Sequence, residues 1–477
     1  MKPAVGSRQL AVALLLIGTV ANAKPVEDWR AKAPKPGPEP AAPLPVIERA
    51  ELPNGLVLLV HARHDLPYVF VDAVVAAGDD AQPPGKEGLA SLTAEMLQTG
   101  TAARDAQRIA DDAALLGADL QSDSASDSTH VELGALKPDL ARAVELVGDL
   151  VTHPSFPVDE LEKARARRLS QILERADDPA EAIRDVMAAV AYGEGHPYAP
   201  PHFGTAESVG KLTRADLVGF YQARYRPGGA AIVFVGDVTL AEARQLVERG
   251  PLGAWPRAQA TPIVPAQPAK PPVRGIVLVD KAGAPQSEMG FVLLTAPATD
   301  ADHAALDLAD ACLGRTFSSR LNLNLREEHG YSYGAFSNIR WQRGPSLWLS
   351  RAAIRTDVTL PAIGEIRNEL RKLAADPPSD AELSVARAQL IHGVVGEFET
   401  TREAAGAIGD LFILGLPLDW FQKYAAAVGK LTRDEVARAI RKHLLPERAA
   451  IVVIGDRSRI EPALEVQHRD ASGRVIR

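Results

Sequence analysis

Two eight-residue stretches of this chain are nearly identical. Residues 230–237 read AAIVFVGD, and residues 449–456 read AAIVVIGD, 219 positions later. The tripeptide Leu-Thr-Arg at 212–214 also returns after 219 positions, at 431–433. A short apolar run that ends at Gly-Asp is typical of a buried strand followed by a turn. The chain therefore repeats one strand together with the segment that precedes it.

Two further matches extend this repeat toward the start of each copy. Residues 55–58 resemble residues 275–278 at an offset of 220. The pattern Glu-Leu-x-x-Ala-Arg at 160–165 returns at 382–387, at an offset of 222. Because these matches occur in the same order at a nearly constant offset, they predict a duplicated domain of about 220 residues.

Proline-rich segments mark the predicted domain boundaries. Residues 24–48 are rich in Pro, Ala and Lys and are expected to form an extended strap or linker. A second linker, at residues 251–273, contains seven prolines. The sequence thus predicts an N-terminal domain at 49–250 and a C-terminal domain at 274–477.

Strand and helix patterns alternate within each copy. Apolar runs at 55–60 and 69–76 predict strands, whereas the spacing of apolar residues within 88–98, 106–116 and 159–176 predicts helices. Several strands follow one another directly, which favours antiparallel pairing. The predicted fold class is α+β, with two homologous domains that each pack helices on a mainly antiparallel sheet.

The first 23 residues have the pattern of a secretory signal peptide. Lys2 and Arg8 flank the start of an apolar run at residues 10–20, and Ala-Asn-Ala at 21–23 fits a cleavage site. The run is too short to span a bilayer, and no cysteine follows the cleavage site to carry a lipid. We therefore predict an exported, periplasmic protein with no membrane anchor after cleavage.

Composition excludes several other classes of protein. The chain has 53 basic and 61 acidic residues, a formal net charge of −8, and no basic stripe of the kind that binds nucleic acid. Its one cysteine, Cys312, excludes an intramolecular disulfide framework and a cysteine-rich zinc site. We expect Cys312 to be a buried, small apolar side chain.

The sequence does not predict a metal-binding or nucleophilic role for its scattered histidines or for Ser91. His61 and His64 are three residues apart on a predicted strand, so they point to opposite faces and are not expected to chelate one ion. Ser91 with His130 or His153 would form a nucleophile and base, but no spacing in the sequence supports that pairing.

Two acidic groups also receive structural interpretations. Asp119, Asp123 and Asp127 are interpreted as a solvated loop rather than a calcium site. Asp79 and Asp80 are expected to belong to a turn.

Four groups of residues match a known family when they are taken together. They are Gly88-Leu89-Ala90 with Met96-Leu97 and Gly100-Thr101; His196-Pro197-Tyr198 with 204–208; Tyr221 with 225–227 and 235–237; and Ser319-Arg320-Leu321 with 325–328, Gly330 and Tyr333. Between about residues 50 and 460 the chain resembles the pitrilysin/insulinase-like metallopeptidases. That family includes the mitochondrial processing peptidase and bacterial two-subunit peptidases.

Active members of this family hold zinc through His-x-x-Glu-His on one helix and through a later glutamate. In the frame set by residues 88–97, the two histidine positions hold Ser91 and Glu95, and the general-base position holds Ala94. The later glutamate position falls on Gln171. The resemblance therefore implies that this chain binds no metal, because a lone carboxylate cannot hold Zn²⁺ tightly.

The family also uses an arginine and a tyrosine, seven residues apart, that reach toward the zinc site from the C-terminal domain. Arg326 and Tyr333 match that spacing and its surroundings, with Tyr331 as a nearby competitor. A guanidinium and a phenol can donate hydrogen bonds to a developing oxyanion. The alternative is a surface arginine and a tyrosine packed in a strand.

The resemblance implies an incomplete subunit of an exported zinc metallopeptidase, inactive alone. A homologous partner with intact His-x-x-Glu-His would supply zinc and the base, and this chain would supply Arg326 and Tyr333. The expected substrates are unfolded peptides, which can add to a sheet edge. Two alternatives stay open: a peptide-binding or assembly protein with no peptidase partner, and an active peptidase with an atypical metal site.

Overall fold

The computed structural model of the protein describes residues 44–259, 263, 275–460 and 466–468. The predicted signal peptide lies outside the described residues, as do most of the predicted strap at 24–48 and of the predicted linker at 251–273. None of the helices described has both the length and the apolar character that a membrane crossing needs.

Strands form two six-stranded sheets. The strands are β1 Glu48–Glu51, β2 Val57–Ala62, β3 Tyr68–Val75, β4 Gln121–Ser124, β5 Thr129–Leu136, β6 Ala230–Gly236, β7 Gly275–Asp280, β8 Gln286–Thr295, β9 Ala335–Arg340, β10 Ser346–Arg355, β11 Ala450–Gly455 and β12 Val466–His468. The first sheet has the order β1-β2-β6-β3-β5-β4, and the second has the order β12-β7-β11-β8-β10-β9. The pairs β2–β6, β7–β11 and β7–β12 are parallel and the other pairs are antiparallel. The predicted α+β class with mainly antiparallel sheets is confirmed.

Helices connect these strands and pack on both sheets. They are α1 Leu89–Leu97, α2 Ala106–Leu115, α3 Leu140–Thr152, α4 Val158–Asp177, α5 Pro179–Tyr192, α6 Ala206–Lys211, α7 Arg214–Arg224, α8 Leu240–Arg249, α9 Pro251–Ala254, α10 His303–Asp310, α11 Arg320–Asn322, α12 Thr359–Ala375, α13 Asp380–Gly396, α14 Thr401–Leu414, α15 Trp420–Lys430, α16 Arg433–His443 and α17 Arg457–Ile460. Two segments, Ala311–Arg315 and Leu323–Glu328, are π-helical. The three helices predicted from apolar spacing correspond to α1, α2 and α4.

Equivalent hydrogen bonds in the two halves show the duplication directly. Arg165 on α4 donates from Nη2 to the carbonyl oxygen of Leu212 at 2.7 Å. Arg387 on α13 donates in the same way to the carbonyl oxygen of Leu431 at 2.6 Å. Each of these bonds ties a long helix to the segment before the next helix, at positions that the sequence repeat had matched.

The strand register corrects one of the sequence matches. Ala231 pairs with Val57, and its counterpart Ala450 pairs with Gly275. Gly275 therefore corresponds to Val57 rather than to Gly55. A shift of two residues keeps the same face of the strand buried, which is why the apolar pattern alone did not reveal it.

The halves exchange one helix each. α5, from the first half, packs its apolar side chains on the second sheet, against β7, β8, β10 and β11. α14, from the second half, packs on the first sheet in a separate apolar cluster that includes β2, β3 and β6. Because each sheet is covered on one face by a helix from the other half, the described residues of the two halves form one packed body.

A glycine sets the close approach of α5 to the second sheet. An added Cβ at Gly290 on β8 would lie 2.3 Å from Sδ of Met187 on α5, closer than any normal contact. On the first sheet the small residue lies on the helix instead of the strand: Gly409 on α14 lies over Asp72 on β3. A Cβ added to Gly409 would lie 3.4 Å from its nearest atom, Oδ2 of Asp72. The two helices thus pack by the same geometry with different side chains.

Candidate functional site

Helix α1 carries three of the four positions at which active family members hold zinc or the base. It begins at Gly88, whose φ is +84° and where a Cβ would lie 2.7 Å from the carbonyl oxygen of Phe203. Only glycine fits this start. The side chains of Ser91 and Ala94 are buried, and Glu95 is half-buried.

Arg168 on α4 occupies the space between these α1 side chains. It is 4% exposed, and its Nη1 donates to Oγ of Ser91 at 2.6 Å while Nη2 donates to Oε2 of Glu95 at 2.7 Å. Arg167 donates to the other carboxylate oxygen of Glu95 at 2.9 Å. The Arg168 guanidinium also lies 4.5 Å from the centre of the Phe203 ring. A permanent cation therefore holds α1 against α4.

The residues of this half-site do not fit zinc. They offer no imidazole, and the single carboxylate, Glu95, already accepts hydrogen bonds from two guanidinium groups. A metal ion would have to displace the buried cation of Arg168 and find at least two more ligands. Gln171 lies exposed on α4, and the α4 side chain that contacts Ser91 and Glu95 is Arg168, one turn earlier.

The hydrogen bonds of Ser91 do not make it a nucleophile. Its Oγ donates to the carbonyl oxygen of His202 at 3.0 Å, besides accepting from Arg168. His130 bonds instead to Asp72 at 2.9 Å, and His153 lies 2.8 Å from Oγ1 of Thr152. Neither histidine is hydrogen-bonded to Ser91 within the described part of the chain.

The remaining histidine pair and the cysteine have structural surroundings. Nδ1 of His61 lies 3.1 Å from the carbonyl oxygen of Val46, and Nδ1 of His64 lies 2.6 Å from Oδ1 of Asp237, so each has its own partner. Cys312 is buried, and burial raises the pKa of its thiol to about 12. The thiol is therefore protonated at neutral pH.

The interpretation of Asp119, Asp123 and Asp127 as a solvated loop is wrong in two places, because Asp123, although exposed, lies on strand β4 and Asp127 is buried. Asp127 is not solvated: it is buried and accepts hydrogen bonds from the hydroxyl of Tyr198 and the backbone N–H of Arg343. Arg343 also donates to Oδ2 of Asp80 at 2.5 Å. Burial raises the pKa of Asp80 to about 8, although Arg343 opposes the shift. This network joins the two halves, and nothing in the sequence spacing indicated it.

Three other ionisable residues lie close enough together to suggest a metal site. Asp300, Asp302 and His443 offer ligand atoms within 4.8 Å of one another. However, Nζ of Lys442 lies 2.7 Å from Oδ2 of Asp302, and Nε2 of His443 lies 3.0 Å from the same oxygen. The Lys442 ammonium therefore already neutralises the Asp302 carboxylate, and we interpret the group as an ion-pair cluster at the end of α16 rather than a metal site.

Arg326 and Tyr333 lie on an exposed segment of the second half. Arg326 belongs to the π-helical turn Leu323–Glu328, and its side chain is 37% exposed with Nε 3.5 Å from Oε1 of Glu327. Tyr333 lies in the loop before β9 and is 92% exposed. Tyr331, by contrast, is half-buried: it stacks on His329 at a ring distance of 4.9 Å and packs against the core. Of the two tyrosines, Tyr333 is the one presented to the outside.

A firm base supports this exposed segment. Arg320 at its start donates to both carboxylate oxygens of Glu382, at 2.6 and 3.1 Å, which lowers the pKa of Glu382 to about 2. Oδ1 of Asn322 accepts a hydrogen bond from the backbone N–H of Ala335, the first residue of β9. Three large apolar side chains nearby in sequence, Phe317, Leu323 and Phe336, are exposed. The segment therefore presents a cation, a phenol and apolar surface on a fixed backbone.

Family and sequence comparisons agree with this geometry. The description "Insulinase (Peptidase family M16)" matches residues 59–200, and "Peptidase M16 inactive domain" matches residues 211–390. An uncharacterized zinc protease of Mycobacterium leprae is 27% identical over 416 residues, which are 85% of this chain and 91% of the relative. The beta subunit of the mitochondrial-processing peptidase of Blastocladiella emersonii is 22% identical over 442 residues, 89% and 93% of the two chains. The Helicobacter pylori protein named non-peptidase homolog YmxG is 21% identical over 402 residues, 83% and 90% of the two chains.

A solved structure shares the fold. The crystal structure of a peptidase M16 inactive domain from Pseudomonas fluorescens matches with a TM-score of 0.81 at 24% identity, and it covers 87% of this chain and 100% of that chain. Two sheets with a degenerate metal half-site define the class as a peptidase-like protein without a zinc motif. The chain belongs to the insulinase-like M16 family. Within that family it is a non-catalytic, peptidase-like subunit.

Proposed function

We propose that this chain is the substrate-binding subunit of an exported, heterodimeric zinc metallopeptidase that degrades or processes peptides. The observation that carries the proposal is the contrast between its two half-sites. The half-site on α1 is closed by Arg168, whereas Tyr333 is exposed. Arg326 keeps part of its guanidinium accessible over the exposed Phe317 ring, 4.3 Å from the ring centre. A chain that had lost all peptidase function would have no need to keep the second half-site open.

Arg326 and Tyr333 have the chemistry to bind a peptide at the reacting carbonyl. In the proposed complex, Arg326 binds the peptide backbone with its guanidinium, and Tyr333 donates its hydroxyl hydrogen to the carbonyl oxygen. Both donors strengthen their bonds as negative charge develops on that oxygen. The zinc ion of the partner, held by His-x-x-Glu-His, would supply the activated water.

The outward position of Tyr333 explains why a partner is needed. Its hydroxyl is hydrogen-bonded to no described residue of its own chain, and its ring is almost fully exposed. The closed half-site on α1 lies in the other half of the chain and offers no metal. A homologous chain that carries the intact motif would have to bring zinc to this surface from outside.

The test is to mix the purified chain with a homologous chain that carries His-x-x-Glu-His and to measure peptide hydrolysis and bound zinc. The chain alone should contain no stoichiometric zinc and cleave nothing. The mixture should cleave, and Arg326→Ala should lower kcat/KM about 100-fold, the usual effect of losing one oxyanion donor. Arg371→Ala, an exposed arginine on α12, serves as the matched control. Cleavage and zinc in the isolated chain would refute the proposal.

Export is part of the same proposal and depends on residues 1–23. The protein recovered from the periplasm should begin at Lys24. An N-terminus at Met1 in a protein confined to the cytoplasm would contradict this part.

A second candidate is a peptide-binding or assembly protein with no peptidase partner. The name of the H. pylori relative, a non-peptidase homolog, favours this candidate. It predicts that peptides or partner proteins bind the chain while every mixture with a zinc-bearing homologue stays inactive.

A further inference from the structure

A groove of about 650 Å³ lies on the second sheet beside Tyr333. Its floor is the outer face of β9 and β10, and one wall is formed by α5 of the first half. The groove is open because α5 covers β8 and β11 and stops short of the edge strand β9. Phe336 on β9 is 60% exposed there, so an apolar ring borders the open face.

Positive charge dominates the groove. The charged residues that line it are Arg184, Arg340, Arg351 and Glu288. The whole chain carries a net charge of −8, so this local excess of arginine is not a consequence of overall composition. Arg184 and Arg340 also line a larger cavity of about 1070 Å³ between the two halves, which places them where the two spaces meet.

Arg340 and Arg351 lack the partners that arginines on a protein surface normally have. Neither forms an ion pair or hydrogen bond with any described residue, and Nε of Arg351 is buried without an acceptor. Arg184 lies 3.4 Å from Oε1 of Glu181, a weak contact that leaves its other donors free. Burial and the charge of Arg184 lower the pKa of Arg351, and burial raises the pKa of Glu288. Glu288 therefore compensates the three cations only in part.

The backbone of β9 adds a second kind of recognition. Among the described strands, β9 is the last of its sheet and pairs only with β10. The N–H of Ala335, its first residue, is taken by Oδ1 of Asn322, so an extended peptide would pair with the edge groups that follow it. Phe336, Asn338 and Arg340 share its exposed face. A peptide along this edge would pass both the arginines of the groove and Tyr333 at its rim.

We propose that this groove binds a carboxylate of the peptide substrate through Arg351, whose buried Nε has no acceptor. Arg351 lies opposite Phe336 across β9 and β10, and Arg340, four residues further along β9, adds positive charge at the far end of the groove. The inference rests on the proposed function, because it takes the ligand to be a peptide that also reaches Tyr333. A guanidinium presents paired N–H donors that match the two oxygens of a carboxylate. That carboxylate belongs to an aspartate or glutamate side chain or to the C-terminus of the peptide. If the carboxylate belongs to a side chain, the site sets a preference for acidic peptides. If it is the C-terminus, the site sets the direction in which the peptide lies.

Fluorescence anisotropy on the isolated full-length chain tests this inference. Four labelled peptides would be compared. They share one sequence except at a single position, which is acidic or neutral, and each version has either a free or an amidated C-terminus. At least one carboxylate-bearing peptide should bind about tenfold more tightly than the neutral amidated peptide, as expected for charge-assisted hydrogen bonds. Tight binding of the acidic amidated peptide identifies the side chain, and tight binding of the neutral free peptide identifies the C-terminus.

Two variants and one control locate the site. Arg351→Gln should remove most of the tenfold preference, and the more exposed Arg340→Gln should reduce it by a smaller factor, whereas Arg371→Gln should leave it unchanged. Equal affinity for all four peptides, or a preference that survives both groove variants, would overturn the inference. This experiment measures peptide binding to the isolated chain, so its result does not depend on whether the mixture with a zinc-bearing homologue cleaves peptides. Loss of cleavage in the mixture with retained carboxylate binding would refute the heterodimer and leave the groove intact.

Discussion

The outer faces of the two sheets occupy equivalent places but carry different charged residues. In the first sheet, Asp72 pairs with Glu132 across β3 and β5. In the second sheet the equivalent register pairs Gly290 with Arg351 across β8 and β10. The same cross-strand pair is therefore two acidic residues in the first sheet and a glycine with an arginine in the second sheet.

The two faces also differ in how their charges are balanced. His130 lies 2.9 Å from Oδ2 of Asp72, and Arg402 on α14 lies 3.1 Å from Oε1 of Glu132. The first face is thus neutralised within the chain, while Arg351 on the second face has no ion-pair partner among the residues described. A duplicated fold can therefore keep its register while internal ion pairs close one surface and the equivalent arginine on the other surface is left without an ion-pair partner among the described residues.

The largest effect is expected where the helix of one half meets the sheet of the other. Gly290→Leu would force a side chain into Met187 and should lower the free energy of unfolding by about 3 kcal/mol, as overpacked cores do. Urea denaturation would measure it. Gly409→Ala at the equivalent place on α14 has room for its Cβ and should change stability by less than about 1 kcal/mol. Equal effects of both variants would break the comparison.

The closed half-site on α1 provides the next test. Arg168→Met removes a buried cation and leaves Glu95 with one partner, which should lower the free energy of unfolding by roughly 2 to 3 kcal/mol. Arg167→Met is the control, because its 54% exposed side chain forms a surface ion pair worth about 1 kcal/mol or less. If Arg168→Met were as stable as the wild type, the cation would not hold α1 in place.

The first sheet should respond to pH through His130. Burial alone disfavours the charged ring, but Asp72 outweighs it and raises the pKa of His130 to about 9, with support from Asp410 on α14 and Glu132 on β5. A raised folded-state pKa stabilises the fold below the unfolded value of about 6.5, and this stability is lost as the pH rises toward 9. We expect a loss of roughly 2 kcal/mol across that window in urea titrations.

Asp72→Asn sharpens this pH test. The variant should be less stable than the wild type at pH 6 and should show a flatter pH profile, because His130 then lacks its carboxylate. If the free energy of unfolding of the wild type did not change from pH 6.5 to 9, the His130 ring would be neutral in the folded protein.

The smallest effect on stability is expected at the open surface. Tyr333→Phe should change the free energy of unfolding by less than about 0.5 kcal/mol, because the side chain is exposed. In the mixture with a zinc-bearing homologue, the same variant should lower kcat with little change in KM, as expected for a donor that acts in the transition state. Tyr331→Phe should leave kcat unchanged, and the reverse result would assign the role to Tyr331.

Local patterns predicted the repeated strands and long helices well. The apolar runs at 230–235 and 450–454 are buried strands, and the segment with helical apolar spacing at 88–98 contains the buried helix α1. The absence of histidines from α1 could also be read directly. These features depend on residues close together in the chain.

The missed features depend on residues far apart. The exchange of α5 and α14 follows from which sheet each helix contacts, and the sequence does not encode that choice as a local pattern. The pairing of Arg168 with Ser91 and Glu95 joins two helices more than 70 positions apart. The burial of Asp127 follows from Arg343 in the other half. The carboxylate groove likewise needs β9, β10 and α5 brought together.

We propose that Tyr333 faces the zinc of a second chain, and paramagnetic ¹⁹F NMR can detect that proximity. The chain would be labelled with 3-fluorotyrosine, the Tyr333 resonance assigned by its loss in Tyr333→Phe, and the zinc of the partner replaced by Co²⁺. The Tyr333 resonance should broaden in the Co²⁺ complex and not in the Zn²⁺ complex, while that of the buried Tyr225 stays sharp. A stable Co²⁺ complex in which the Tyr333 resonance stays unchanged would contradict it.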